Sequence, residues 1–139
     1  MKILLADDHH LLRDGLKFVI RRLGDDVEIF EADDFAQAQA LAESTDGLDL
    51  VVLDLTMPGM DGLAFIQEAQ RLGKQCPTFV AMSAYGDKQL ALEALRRGAF
   101  DYISKPFEPA ELALKLGMMV ERNRLSEDQE PSKLSPSGR

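Results

Sequence analysis

The stretch that decides the fold is "VVLDLTMPGMDG", residues 51–62. The apolar run 50–53 leads straight into the carboxylate of Asp54, and a turn built on Pro58 and Gly59 follows. A strand with no polar alternation fits a parallel sheet covered by helices on both faces. Burying an ionised carboxylate at its end costs several kcal/mol unless something compensates the charge. The carboxylate needs a partner, and the rest of the chain has to supply it.

Working outward, short apolar runs alternate with longer amphipathic ones. Strands are expected at 2–7, 27–32, 48–54, 77–83 and 101–105, and helices at about 9–23, 34–44, 61–72, 87–97 and 108–124. That alternation predicts a single α/β domain around a parallel sheet. Gly24, Gly73 and Gly98 stand where helices should end. Asp33 and Asp87 stand where the second and fourth should begin, with Asp8 a possible cap of the first. From about residue 125 the chain turns to "LSEDQEPSKLSPSGR", which predicts a flexible linker or tail over 125–139.

The bulk numbers set limits. The 139 residues suit one domain with a short appendage, and 45% hydrophobic with 29% charged residues is a globular composition. No apolar run reaches the ~20 residues of a membrane helix, no signal-peptide pattern opens the chain, and one cysteine excludes an internal disulfide. A cytoplasmic protein without membrane contact is expected. The formal charge of −8 argues against a grip on nucleic acid by this segment.

The unusual polar residues fall at the carboxyl ends of the expected strands: Asp7 and Asp8, Asp54, Ser83 and Lys105. In open α/β sheets that edge is where ligands bind. Carboxylates converging there repel by ~4 kcal/mol per pair at ~4 Å and an effective dielectric of about 20, which calls for a cation. Oxygen ligands with room for water suit Mg²⁺, and Lys105 adds a second positive charge. With a phosphoryl donor present, Asp54 would be a nucleophile.

The motifs "LLADDHH" (4–10), "LVVLDLTMPGMDG" (50–62), "VAMSAY" (80–85) and "GAFDYISKPF" (98–107) resemble, in order, the signatures of bacterial two-component response-regulator receiver domains. The resemblance covers about residues 2–124 and implies a CheY-like receiver domain over 1–124. The implied fold is flavodoxin-like, (βα)5, with strand order 2-1-3-4-5. It further implies Asp54 as phosphoacceptor and Mg²⁺ held by Asp8, Asp54 and the backbone carbonyl of Thr56, with Asp7 acting indirectly. Lys105 and the Ser83 hydroxyl would meet the phosphoryl oxygens, and Tyr102 would switch with Ser83. Thr56 and Tyr85 would flank the path of the hydrolytic water and modulate self-dephosphorylation. The donor would be a sensor histidine kinase or phosphotransfer protein.

On the first helix, Leu12, Leu16, Val19 and Leu23 are expected to face the core. Leu11, Gly15 and Phe18 form a second stripe that could dock a kinase. Surplus apolar residues Leu90, Leu92, Leu114 and Met118 suggest a homodimer or partner surface involving the fourth helix, fifth strand and fifth helix. His9 and His10 are expected to be plain helix-opening residues, since neighbours on a helix point to different faces. An enzyme of the aspartyl-phosphate phosphatase or mutase type is disfavoured, because Asp54-Leu55-Thr56 lacks that class's second acid, and no turnover enzyme is expected. Two outputs stay open: a stand-alone receiver in a phosphorelay, or the receiver half of a transcriptional regulator. The segment "DDHHLLRDGLKFVI" resembles receivers ahead of LuxR-type helix-turn-helix domains, while "YISKPF" and "MMVERNRL" resemble receivers joined to other effectors.

Overall fold

The computed structural model describes residues 1–129 apart from 25, 58–60, 85–86 and 106; at 74, 84, 109, 120 and 122–129 it describes the backbone alone. Strands β1 (Lys2–Ala6), β2 (Glu28–Ala32), β3 (Leu48–Asp54), β4 (Thr78–Ala84) and β5 (Asp101–Lys105) alternate with helices α1 (His10–Arg21), α2 (Phe35–Ser44), α3 (Gly62–Ala69), α4 (Lys88–Arg97) and α5 (Pro109–Gln129). The strands form one sheet in the order β2-β1-β3-β4-β5. Every neighbouring pair is parallel. This is the flavodoxin-like order that the sequence predicts.

Pleating divides the strand residues between two faces. Leu4, Ala6, Val51, Leu53, Phe79 and Ala81 join Ala38 of α2, Ile66 of α3 and Ala94 of α4 in one buried cluster. Their alternates Ile3, Leu5, Val52, Val80 and Met82 are fully buried on the other face, on whose side α1 buries Leu16 and Ile20. The unbroken apolar character of β3 therefore has its expected cause, since both faces are covered.

Local chemistry sets the ends. Asp61 and Asp87 accept the N–H groups of Ala64 and Leu90 at 3.0 and 3.1 Å, capping α3 and α4. The cap of α2 is Asp34 rather than Asp33: Asp34 accepts Gln37 N–H at 2.9 Å while Gln37 Oε1 accepts Asp33 N–H at 2.7 Å, a reciprocal box one residue later than expected. Asp8 does not cap α1, whose N-cap is His9 with no side-chain capping bond. The core stripe of α1 is also displaced from the expected one: Leu16 and Ile20 are fully buried together with Arg13, while Leu12, Val19 and Leu23 are half-buried. Arg13 earns this place through the β2 acids Glu31 and, just beyond, Asp33, at 3.5 and 2.5 Å.

A second unit begins at Glu108 and carries α5. Leu112, Leu116 and Met119 on it are buried, and Leu114 and Met118 are exposed. The helix continues to Gln129, beyond the boundary near 124 expected from composition. Residues 121–129, "ERNRLSEDQ", hold helix formers and neither Gly nor Pro, so a polar composition did not end the helix there.

Three rings tie the α2–α3 side of the core together. Phe65 meets Phe35 and Phe79 edge-on, with centroids 5.6 and 5.8 Å apart. Phe79→Ala is expected to destabilise the protein by about 3–5 kcal/mol, read from the midpoint of urea unfolding followed by far-UV circular dichroism.

Candidate functional site: an acidic pocket at the carboxyl edge of the sheet

The register builds the pocket. Ala6 is level with Leu53, Asp54 with Met82, and Ala84 with Lys105. The chain leaving β1 thus places Asp7 beside Asp54, and the end of β5 brings Lys105 back to the same rim. Asp7, Asp54 and Ser83 are fully buried.

Each Asp54 oxygen has its own donors. Oδ1 accepts Thr56 N–H at 2.9 Å and the Thr56 hydroxyl at 2.7 Å. Oδ2 accepts Lys105 Nζ at 2.9 Å, and the same ammonium reaches Asp7 Oδ2, also at 2.9 Å. These bonds compensate the buried charge that the quoted stretch raised. Burial alone pushes the Asp54 carboxyl up, but the Thr56 N–H, the Lys105 ammonium and the Thr56 hydroxyl together hold it below its ordinary value. For Lys105 burial works downward, and the bonds to Asp54 and Asp7 outweigh it and raise the ammonium above its ordinary value.

Asp8 stands apart. Its side chain is one-third exposed, yet Oδ1 is buried and no donor satisfies it among the described residues. Asp7, Asp8, Asp54 and His9 each present one ligand atom, all within 4.8 Å of one another. An orphaned carboxylate oxygen beside further oxygen donors, with a single lysine against three acids, fits a divalent cation.

His9 is the residue that the sequence reading set aside. Its Nδ1 lies 3.0 Å from Asp7 Oδ1, and 3.2 Å from Asp8 Oδ1 in poor hydrogen-bond geometry. Its backbone is extended (φ −95°, ψ 98°), because it is the N-cap and not a helical residue. The helix-face argument that separated His9 from the acids therefore does not apply to it. His10 turns elsewhere, with Nδ1 3.0 Å from Arg13 and Nε2 3.6 Å from Asp33.

Ser83 Oγ and Tyr102 Oη lie 2.8 Å apart, a hydroxyl pair joining β4 to β5. Of the other expected site residues, Thr56 touches Asp54 through its N–H and hydroxyl. Tyr85 lies outside the described residues, as do Pro58 and Gly59 of the turn.

Fold and pocket together define a doubly wound α/β domain with an aspartate-centred site at the carboxyl edge of its sheet. The model of the response regulator receiver domain matches residues 3–116, and the chain belongs to that family. The transcriptional regulatory protein QseB of Escherichia coli O157:H7 is 36% identical over 124 residues, covering 88% of this chain and 54% of that protein. The nitrate/nitrite response regulator NarL of Escherichia coli K12 is 39% identical over 110 residues, covering 79% and 50%. Among solved structures, the receiver domain of NtrX from Brucella abortus superposes with a TM-score of 0.71 at 31% identity, covering 86% of this chain and 98% of that one. The chain thus spans about half the length of the curated relatives it matches. Among the described residues, no helix is long and apolar enough to cross a membrane.

The Asp54 contribution to stability is present above the unfolded aspartate value of about 3.9 and is lost as pH falls through the lower folded value. That of Lys105 is present below about 10.4 and is lost as pH rises through its higher folded value. Lys105→Met leaves two buried carboxylates without their shared cation. It is expected to cost about 3 kcal/mol near pH 7, the deficit shrinking toward pH ~3 as the acids protonate; urea unfolding across that range measures it.

Proposed function

We propose that Asp54 accepts a phosphoryl group from a phosphohistidine on a sensor kinase or phosphotransfer protein. The supporting observation is the Lys105 ammonium held 2.9 Å from both Asp54 and Asp7 at the buried rim. A carboxylate oxygen of Asp54 attacks phosphorus, the P–N bond breaks, and the imidazole leaves with the electron pair. Thr56 keeps the carboxylate oriented through two bonds to Oδ1. Lys105 moves from pairing two carboxylates to pairing the incoming phosphoryl oxygens, an exchange that needs no new cation. Mg²⁺ is the expected ion, with Asp8, Asp54 and the Thr56 carbonyl as its ligands and Asp7 acting through water or its neighbours; when bound it neutralises charge on the acids and on the transferring oxygens.

The added group carries about −1.5 to −2 charge and three acceptor oxygens. Ser83 is the nearest switching hydroxyl in this reading, and its 2.8 Å bond to Tyr102 makes the two move together. Exposed apolar side chains remain on α4 (Leu92 and Leu95, whereas Leu90, expected among them, packs against the core) and, separately, on α5 (Leu114, Met118), which supports a phosphorylation-sensitive dimer or partner surface. Self-hydrolysis of the acyl phosphate, paced by Thr56 and Tyr85, would reset the domain. Relatives such as the transcriptional regulatory protein QseB, of which this chain covers 54%, support the receiver half of a transcriptional regulator over a stand-alone relay protein. The −8 charge supports leaving any contact with DNA to another domain. A cytoplasmic setting follows from a kinase-fed signal.

The kinase surface is α1. Leu11 and Phe18 are 87% and 65% exposed, far beyond the residues of the core stripe, and the Arg22 guanidinium lies over the Phe18 ring at 5.5 Å. Acetyl phosphate with Mg²⁺ is expected to add one phosphoryl group to the intact protein by mass spectrometry and none to Asp54→Asn; equal labelling of both would end the phosphoacceptor reading. Phe18→Ala is expected to slow transfer from the cognate kinase at least about fivefold, the loss of one interface anchor, without slowing labelling by acetyl phosphate.

A further inference from the structure

The ring of His9 sits against the acidic pocket in a way that a metal site for Mg²⁺ alone does not require. Asp7 divides its oxygens: Oδ2 goes to Lys105, while Oδ1 accepts the His9 backbone N–H at 2.8 Å and lies 3.0 Å from His9 Nδ1. Asp8 Oδ1, buried and without a donor among the described residues, lies 3.2 Å from the same nitrogen. Asp54 Oδ2 lies 3.9 Å from it. Donors ~2.1 Å from a shared ion stand ~3.0 Å apart when adjacent and ~4.2 Å apart when opposite. The separations from Asp8 Oδ1 and Asp54 Oδ2, the two carboxylates expected to hold the ion, fall within that span.

We propose that His9 Nδ1 is an additional ligand of the divalent ion. It converts an all-oxygen pocket into a mixed nitrogen–oxygen site, shifting its relative affinity from Mg²⁺ toward imidazole-binding ions such as Co²⁺, Ni²⁺ or Zn²⁺. The chemistry is that of ligand softness: Mg²⁺ takes oxygen ligands and keeps its water, whereas later first-row ions gain from an imidazole. The backbone supports this role. The bond from His9 N–H to Asp7 Oδ1 fixes the main chain at the N-cap, so the ring approaches the acids without closing a helical turn. The side chain is 63% exposed, leaving space for water on the remaining coordination positions. A simpler role for the ring, donating Nδ1–H to Asp7, would leave ion selectivity untouched by its removal. The proposal rests on the phosphoacceptor reading only in requiring a divalent ion at this rim.

The test uses the full chain stripped of metal by a chelator. Calorimetric Kd values for Mg²⁺ and Co²⁺ are compared for wild type, His9→Ala, His9→Gln and His10→Ala. Both His9 variants are expected to lower the ratio of the Mg²⁺ Kd to the Co²⁺ Kd at least about tenfold, and His10→Ala to leave it as in wild type. In Co²⁺-loaded wild type, proton NMR should show a hyperfine-shifted, exchangeable imidazole resonance that His9→Ala lacks. A ratio unchanged by His9→Ala, or reduced as much by His10→Ala, overturns the proposal while leaving the phosphoacceptor reading standing. Failure of the wild type to bind either ion overturns both.

Discussion

One ammonium group holds the pocket together. Lys105 Nζ bridges Asp7 and Asp54, two fully buried carboxylates that come from different strands and would otherwise repel. Without it, burial would drive one acid toward its neutral form. With it, Asp54 stays charged in a place that water reaches poorly. The arrangement stabilises the resting protein and also leaves it ready to react, because the cation that neutralises the acids is the one a phosphate would attract.

The sheet makes that bridge possible. Parallel strands in the order β2-β1-β3-β4-β5 put the carboxyl ends of β1, β3, β4 and β5 on one edge, where residues from opposite ends of the chain meet. The apolar interiors of β3 and β4 fix the register. A slip of one residue would exchange the two faces and bury the wrong side chains. Precision at the rim is thus inherited from the core.

Much of this was legible in the sequence, for physical reasons. The unbroken apolar run into Asp54 signals a covered parallel strand, and the placement of Asp7, Lys105 and Ser83 after similar runs predicts their convergence. Helix ends were less legible. Adjacent Asp33 and Asp34 offer the same capping chemistry, and only the reciprocal bonds of Gln37 decide between them. Buried Arg13 was also hidden, since its burial depends on two acids of another element, Glu31 and Asp33. The approach of the His9 ring to Asp7 was hidden as well, because a helix-opening residue reads as helical while its backbone is extended. The length of α5 was underestimated because polar composition says little about local propensity.

Thr56 and Lys105 together keep Asp54 ionised inside the protein. Carbon-detected NMR titration of the aspartate carboxyl groups, with the Lys105 side chain followed in parallel, measures this directly. An Asp54 midpoint below about 3.9 and a Lys105 midpoint above about 10.4, the values of unperturbed groups, are expected. An Asp54 carboxyl that titrates at or above the ordinary value would contradict it.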